Sequence, residues 1–154
     1  MNIISLLKGK KKTFFSKEEE ERMVQAIRFA EMQTSGEIRL FIESHCSFLN
    51  PIDRAKEIFA DLNMTATKDR NAVLLYFAMK DRQMAILGDE GIHQKLGQDF
   101  WNNKVASILE DFNKQNFTDG ICKMIADVGD ALKSNFPYTA EDKNELDDNI
   151  VFGK

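Results

Sequence analysis

A chain of 154 residues with 43% apolar and 30% charged side chains has the balance of an ordinary globular domain. That excludes a fibrous or disordered chain and leaves little room for a second core, and a net charge of −4 argues against nucleic acid as a partner. No apolar run approaches the roughly 20 residues that cross a bilayer. Cys46 and Cys122 match no metal-ligand spacing, so free thiols and a cytoplasmic location are expected.

The start, MNIISLLKGKKKTFF, places its apolar stretch ahead of Lys8, Lys10, Lys11 and Lys12, the reverse of a secretory signal. Residues 1–15 are expected as a short packed or frayed segment, with attachment to an anionic membrane surface through those lysines as the alternative. Ser16 followed by Glu19 reads as a capping box, and Met23, Val24, Ile27 and Ala30 then share one face of a first helix that Gly36 suits as a stop. EIRLFIE (37–43) alternates as a strand does. NPIDRAKEIFADLNM predicts a second helix, with Pro51 early and Ile52, Ala55, Ile58, Phe59 and Leu62 as its buried stripe.

AVLLYF is apolar on both faces, as befits a strand covered by helices on each side, and MKDR is short enough to turn the chain back into QMAILG. DEGIHQKLG predicts a short helix with Asp89 as its N-cap. Two longer helices follow, striped by Phe100, Trp101, Val105, Ile108, Leu109 and Phe112, then by Phe117, Ile121, Met124, Ile125, Val128 and Leu132. Residues 16–136 thus make a single domain. The acidic tail, 137–154, loses periodicity and is expected to be largely mobile, with Ile150, Val151 and Phe152 docking back. The fold class predicted is α/β: a three-layer α/β/α sandwich, with a small mixed sheet built from a β-α-β unit and an antiparallel hairpin.

That topology brings distant residues together. The two strands of the β-α-β unit are parallel and the third is antiparallel to the second, so one rim collects Ser35, Gly36 and Glu37, then Asp69, Arg70 and Asn71, then Asp89 and Glu90. Four carboxylates and an amide suit a hard cation that wants oxygen ligands, and Gly36, Gly88 and Gly91 let the backbone approach it. Glu37, Asp69, Asn71, Asp89 and Glu90 are therefore the candidate metal ligands. The alternative is a set of solvated caps and surface ion pairs, and no calcium-binding loop motif is present. The opposite rim offers Glu43, Ser44, His45 and Cys46 beside Lys80, Asp81 and Arg82. A nucleophilic pairing of His45 with Ser44 or Cys46 is disfavoured there, because adjacent residues in one loop rarely face each other.

SGEIRLFIE, RNAVLLYFAMKDRQMAILGDEGI and FTDGICKMIADVGDAL resemble, in that order, the landmarks of the TPM domain. That family is named for thylakoid-lumen, photosystem-repair and acetylcholine-receptor-associated members, and it has many bacterial ones. The resemblance spans residues 16–136 and implies an α/β/α sandwich with a cleft formed by loops at one end of the sheet. It further implies calcium or magnesium binding, as in some members, and acid phosphatase activity, as attributed to plant members. Some bacterial members are membrane-anchored or encoded beside membrane proteins of the LemA type. Asn71 matches the asparagine that precedes the VLL strand, Ala72 replaces the glycine often found after it, and GDEG matches the glycine-bracketed turn that holds Asp89 and Glu90.

The first function expected is a monomeric module that binds Ca2+ or Mg2+ and acts in interaction or assembly rather than catalysis. A metal-dependent phosphomonoesterase, with Arg70 clamping phosphate and a metal activating water, is the second. The third is a metal-free domain that binds a membrane protein, a LemA-like neighbour by resemblance.

Overall fold

The computed structural model describes residues 14–113, 117–139 and 146–153, the side chains of 111–113 excepted. The first helix, α1 (Lys17–Glu31), opens as its sequence demands. Ser16 Oγ accepts the Glu19 amide at 3.1 Å, and Glu19 Oε1 accepts the Ser16 amide at 2.9 Å. Such a cap is worth about 1 kcal/mol. The helix stops before Gly36, capped by Met32. Gly36 serves packing instead, because a Cβ there would meet the Leu132 side chain at 2.7 Å.

Strand β1 (Glu37–Glu43) leads to α2 (Pro51–Asp61), where Asn50 caps by accepting the Ile52 amide at 2.9 Å and Pro51 fills the first turn. Then come β2 (Ala72–Ala78), β3 (Gln83–Gly88), α3 (Glu90–Leu96), α4 (Gln98–Asn113), α5 (Phe117–Asn135) and β4 (Val151–Phe152). Gly97 breaks α3 from α4 with φ of 80°, a left-handed conformation natural to glycine.

The four-stranded sheet has the order β3-β2-β1-β4. β1 and β2 run parallel with Glu37 opposite Ala72, and β3 returns antiparallel with Gly88 opposite Val73. The hairpin and β-α-β unit are those the sequence predicts. The addition is β4, which pairs parallel with β1 through Phe41 and Val151. Ile150, Val151 and Phe152 dock as expected, but a strand of two residues is too short for alternation to announce it.

The layers are unequal. On one face α1, α3, α4 and α5 bury Met23, Ile27, Ile92, Trp101, Ile125 and Leu132 against Ile38, Leu40, Ile42, Val73, Leu75 and Phe77. On the other, α2 packs Ala55, Ile58 and Phe59 over Phe41, Leu74 and Tyr76, with Leu146 and Val151 against the same cluster. Every residue of β2 is buried, which explains its apolar character on both faces. Each large apolar side chain so buried stabilises the fold by about 1.5–3 kcal/mol before chain entropy is counted. Both cysteines are free. Among the described residues, no helix is long and apolar enough to cross a membrane. Of residues 1–15, expected as a packed or frayed segment with membrane attachment as the alternative, Phe14 and Phe15 are described and Phe15 is buried in the core, while residues 1–13, with the lysines, and residues 140–145 of the tail lie outside those described.

Candidate functional site

The register of the sheet sets the first rim. With β1 and β2 starting side by side and β3 ending beside them, the loops before β1, before β2 and after β3 meet at one end. The segment before β1 is pinned to the end of α5, where Phe136 O accepts the Ser35 amide at 3.0 Å and the Thr34 hydroxyl. Thr34 Oγ1 also accepts the Gly36 amide at 3.0 Å.

Within this rim the predicted residues sort into three groups. In the first, Asn71 Nδ2 donates to Ser35 Oγ at 3.1 Å, and the Ser35 hydroxyl lies 3.5 Å from Asp69 Oδ2. Asn71 is fully buried, yet its Oδ1 has no hydrogen-bond partner among the described residues. Leaving such an acceptor empty costs about 1–3 kcal/mol, so a donor or cation at that position recovers real free energy.

The second group is an ion-pair cluster. Arg70 reaches Asp89 with Nε to Oδ2 at 2.6 Å and Nη2 to Oδ1 at 2.9 Å, and its Nη2 lies 3.6 Å from Glu90 Oε1. Those bonds to Asp89 hold the guanidinium above its usual range. Arg70 adopts φ of 52°, a strained conformation for a side chain of this kind. The same turn presents Arg70 O to the Gly91 amide at 2.8 Å. Gly91 is obligatory there, because a Cβ would lie 2.2 Å from Asp69 O. Asp89 also caps α3, accepting the Glu90 amide at 2.8 Å as predicted.

Glu37 forms the third group. Its buried carboxylate turns to the C-terminal segment, where Oε1 accepts the Leu146 amide at 3.1 Å. Beside it Glu31 Oε2 accepts the Ile38 amide at 2.7 Å. Burial, reinforced by a hydrogen bond with Asp148 and by the charges of Asp148 and Glu37, pushes the Glu31 carboxyl up to about 10.

Among the described residues, no three Asp, Glu, His or Cys side chains gather closely enough to hold a metal by themselves. The donors that fit a hard cation are mixed oxygens: the Asp69 carboxylate, the open Asn71 Oδ1 and the Ser35 hydroxyl. Thr67, which sequence reasoning passed over, carries a second buried hydroxyl in the same loop without a hydrogen-bond partner among the described residues. A signal was there to read: Thr67, Asp69 and Asn71 put an oxygen-bearing side chain at every second residue.

The opposite rim is built differently. Glu43, at the end of β1, is buried and accepts from Tyr76 Oη at 2.5 Å and from Arg54 Nε and Nη2, each at 2.9 Å. Arg54 also pairs with Glu57 and lies 5.5 Å above the Phe41 ring. Burial and the bond to Glu43 drive the Tyr76 hydroxyl far above its ordinary value. In the next loop His45 Nδ1 sits 2.9 Å from Asp81 Oδ1, and Asp81 Oδ2 accepts the Cys46 amide at 2.7 Å. The Cys46 sulfur turns instead toward Phe48 O, 3.5 Å away, so ring and thiol face different partners, as expected of loop neighbours.

Comparison with known proteins agrees with this architecture. The chain matches the TPM domain profile over residues 10–131. It is similar to the BA42 protein of the psychrophilic bacterium Bizionia argentinensis, solved by NMR. The identity is 39% and the TM-score 0.84, with 94% of this chain and 99% of that one covered. Two further NMR structures share the fold. The N-terminal domain of a Corynebacterium glutamicum protein has 11% identity and a TM-score of 0.62, over 86% of this chain and 82% of that one. The N-terminal domain of a P. gingivalis protein has 16% identity and a TM-score of 0.62, over 79% and 78%. No curated protein matches. Profile, fold and the ordered landmarks all agree: the chain belongs to the TPM domain family.

Proposed function

We propose that this TPM domain is a divalent-cation-binding module serving interaction or assembly, with Ca2+ or Mg2+ held at the rim of Ser35, Asp69 and Asn71. The observation that carries the reading is the fully buried Asn71 Oδ1, which lacks a partner among the described residues although its Nδ2 is held by Ser35 beside Asp69. A hard cation is the ligand that takes carbonyl, hydroxyl and carboxylate oxygens together. Of the remaining candidates, Asp89 and Glu90 border the site through Arg70, and Glu37 ties the tail beside it. Arg70, with two nitrogens on Asp89, has to release that carboxylate before clamping a phosphate, which favours a binding module over a phosphomonoesterase.

Calorimetric titration with CaCl2 and with MgCl2 tests the reading. Heat is expected for the wild type and is expected to vanish in Asn71→Ala and Asp69→Asn. Binding that survives both substitutions, or is absent from the wild type, sinks it. Turnover of p-nitrophenyl phosphate abolished by EDTA would instead favour the enzyme.

A further inference from the structure

A divalent-cation module has no evident need of Arg70, yet Arg70 stands between Asp69 and Asn71 and puts a positive charge into a run of oxygen-bearing side chains. Backbone bonds clamp its loop against the turn after β3. The Asp89 amide donates to Ala72 O at 2.9 Å, and the Gly91 amide donates to Arg70 O at 2.8 Å. A Cβ on Gly91 would lie 2.2 Å from Asp69 O, so the two backbones touch there. Asp89 is thereby fixed beside the segment that carries Asp69 and Asn71, with both carboxylate oxygens taken by the Arg70 guanidinium.

The two partners of that ion pair are held unequally. The Asp89 side chain is 6% exposed and is also fixed by its cap bond to the Glu90 amide, whereas the Arg70 side chain is 40% exposed. A competing cation therefore displaces the guanidinium, which has water to swing into, and leaves the carboxylate in place. The left-handed backbone of Arg70, with φ of 52°, is the strained conformation that aims its side chain at Asp89.

We propose that Arg70 sets the affinity of the cation site: it occupies Asp89 as an internal counter-ion, and a cation held by Ser35, Asp69 and Asn71 gains Asp89 as a further ligand only when Arg70 lets go. The proposal rests on the cation-binding reading above, in which the buried Asn71 Oδ1 is the separate sign of a ligand. With the pair closed, the ion meets one carboxylate, two neutral oxygens and a neighbouring positive charge that repels it. With the pair open, it meets two carboxylates. Calcium, which takes about six to eight oxygens and accepts a carboxylate through both of its own, gains more from Asp89 than magnesium, which demands a near-octahedral shell.

Titration calorimetry on the metal-free full chain tests this. Arg70→Gly removes the guanidinium and suits the φ of 52°; Arg70→Met removes the charge without adding backbone freedom. Both variants should bind calcium about tenfold tighter than wild type or better, with a smaller gain for magnesium. Adding Asp89→Asn, which keeps an acceptor for the Glu90 amide, should cancel that gain. Lys68→Met removes an exposed charge from the same loop and should change affinity less than about threefold, because solvent screens it. Thermal melts with and without calcium show that each variant folds, and calcium should raise the melting temperature of Arg70→Gly more than that of wild type. Wild-type binding that Arg70→Gly and Arg70→Met leave unchanged or weaken overturns the role of Arg70 and leaves the cation reading standing. An equal gain from Lys68→Met, or one that survives Asp89→Asn, overturns it as well. Absence of heat from wild type and both Arg70 variants overturns the cation reading itself, and this proposal with it.

Discussion

At the two ends of the sheet, Glu43 and Asn71 differ in how completely each is satisfied. At the end where β1 and β2 finish, Glu43 is enclosed by Tyr76 and by two nitrogens of Arg54, all supplied from within the chain. At the end where they begin, Asn71 is just as buried and keeps an oxygen without a partner among the described residues. Open α/β sheets commonly bind ligands beyond the carboxyl ends of their parallel strands. Here the Glu43 carboxylate at that end is closed by an internal network, whereas Asn71 Oδ1 at the amino end has no partner among the described residues. A saturated network fixes the fold, whereas an unsaturated one is poised for something from outside.

The largest effect should come from opening the closed end. Arg54→Ala strips Glu43 of its charge partner while the carboxylate stays buried, and such a loss costs about 3–5 kcal/mol. For a chain of this length the melting temperature should fall by roughly 6–20 °C. Scanning calorimetry in metal-free buffer reads it. A drop under about 2 °C would mean that the Glu43 network is not structural, and the contrast between the ends would fail.

The C-terminal segment joins the two ends, from Leu146 on Glu37 to Gly153, where a Cβ would lie 2.8 Å from Glu43 Oε1. Its hold at the open end is pH-dependent. The Glu31 carboxyl titrates at about 10 in the fold against an ordinary value of 4.5, so folding favours its protonated form. That contribution is complete below pH 4.5 and is lost as pH rises toward 10, where Glu31 ionises against Asp148 and Glu37; Arg28, 3.9 Å from Asp148, offsets part of the repulsion. Glu31→Gln keeps an acceptor for the Ile38 amide and removes the ionisation. Urea denaturation at pH 5, 7 and 9 should show wild-type stability declining relative to Glu31→Gln. Between pH 5 and pH 9 that relative decline should exceed about 1.4 kcal/mol, the equivalent of a tenfold change in proton affinity. Parallel pH profiles would count against the cluster.

Much of this was legible in the sequence, and the rest was hidden for identifiable reasons. The hairpin from Ala72 to Gly88 declared itself because an apolar run bounded by MKDR has few other folds open to it, and strand polarity then placed Asp69, Asn71 and Asp89 at one rim. How those residues pair could not be read. Arg70 reaches Asp89 from a left-handed backbone that its sequence does not advertise. Glu43 read as the last residue of a strand, with nothing to mark it as buried, because its partners, Tyr76 and Arg54, come from β2 and α2. Arg54 itself reads as part of the polar face of an amphipathic helix. Burial of charge is settled by long-range partners, which periodicity does not encode.

The smallest effect should come from the open end, and its smallness is what sharpens the contrast. Asn71→Ala in metal-free buffer gives up one hydrogen bond to Ser35 and removes an acceptor that was already unsatisfied. The two changes partly offset, so a cost of about 1 kcal/mol and a fall of roughly 2–4 °C in melting temperature are expected. Added calcium should raise the wild-type melting temperature and leave that of Asn71→Ala unchanged, because a ligand stabilises only the state that binds it. If Asn71→Ala destabilises as much as Arg54→Ala without metal, the amide is an internal strut like Glu43. A small loss without metal together with a calcium-dependent gain would set the Asn71 oxygen, as the proposed ligand, apart from the Glu43 carboxylate that the fold itself surrounds.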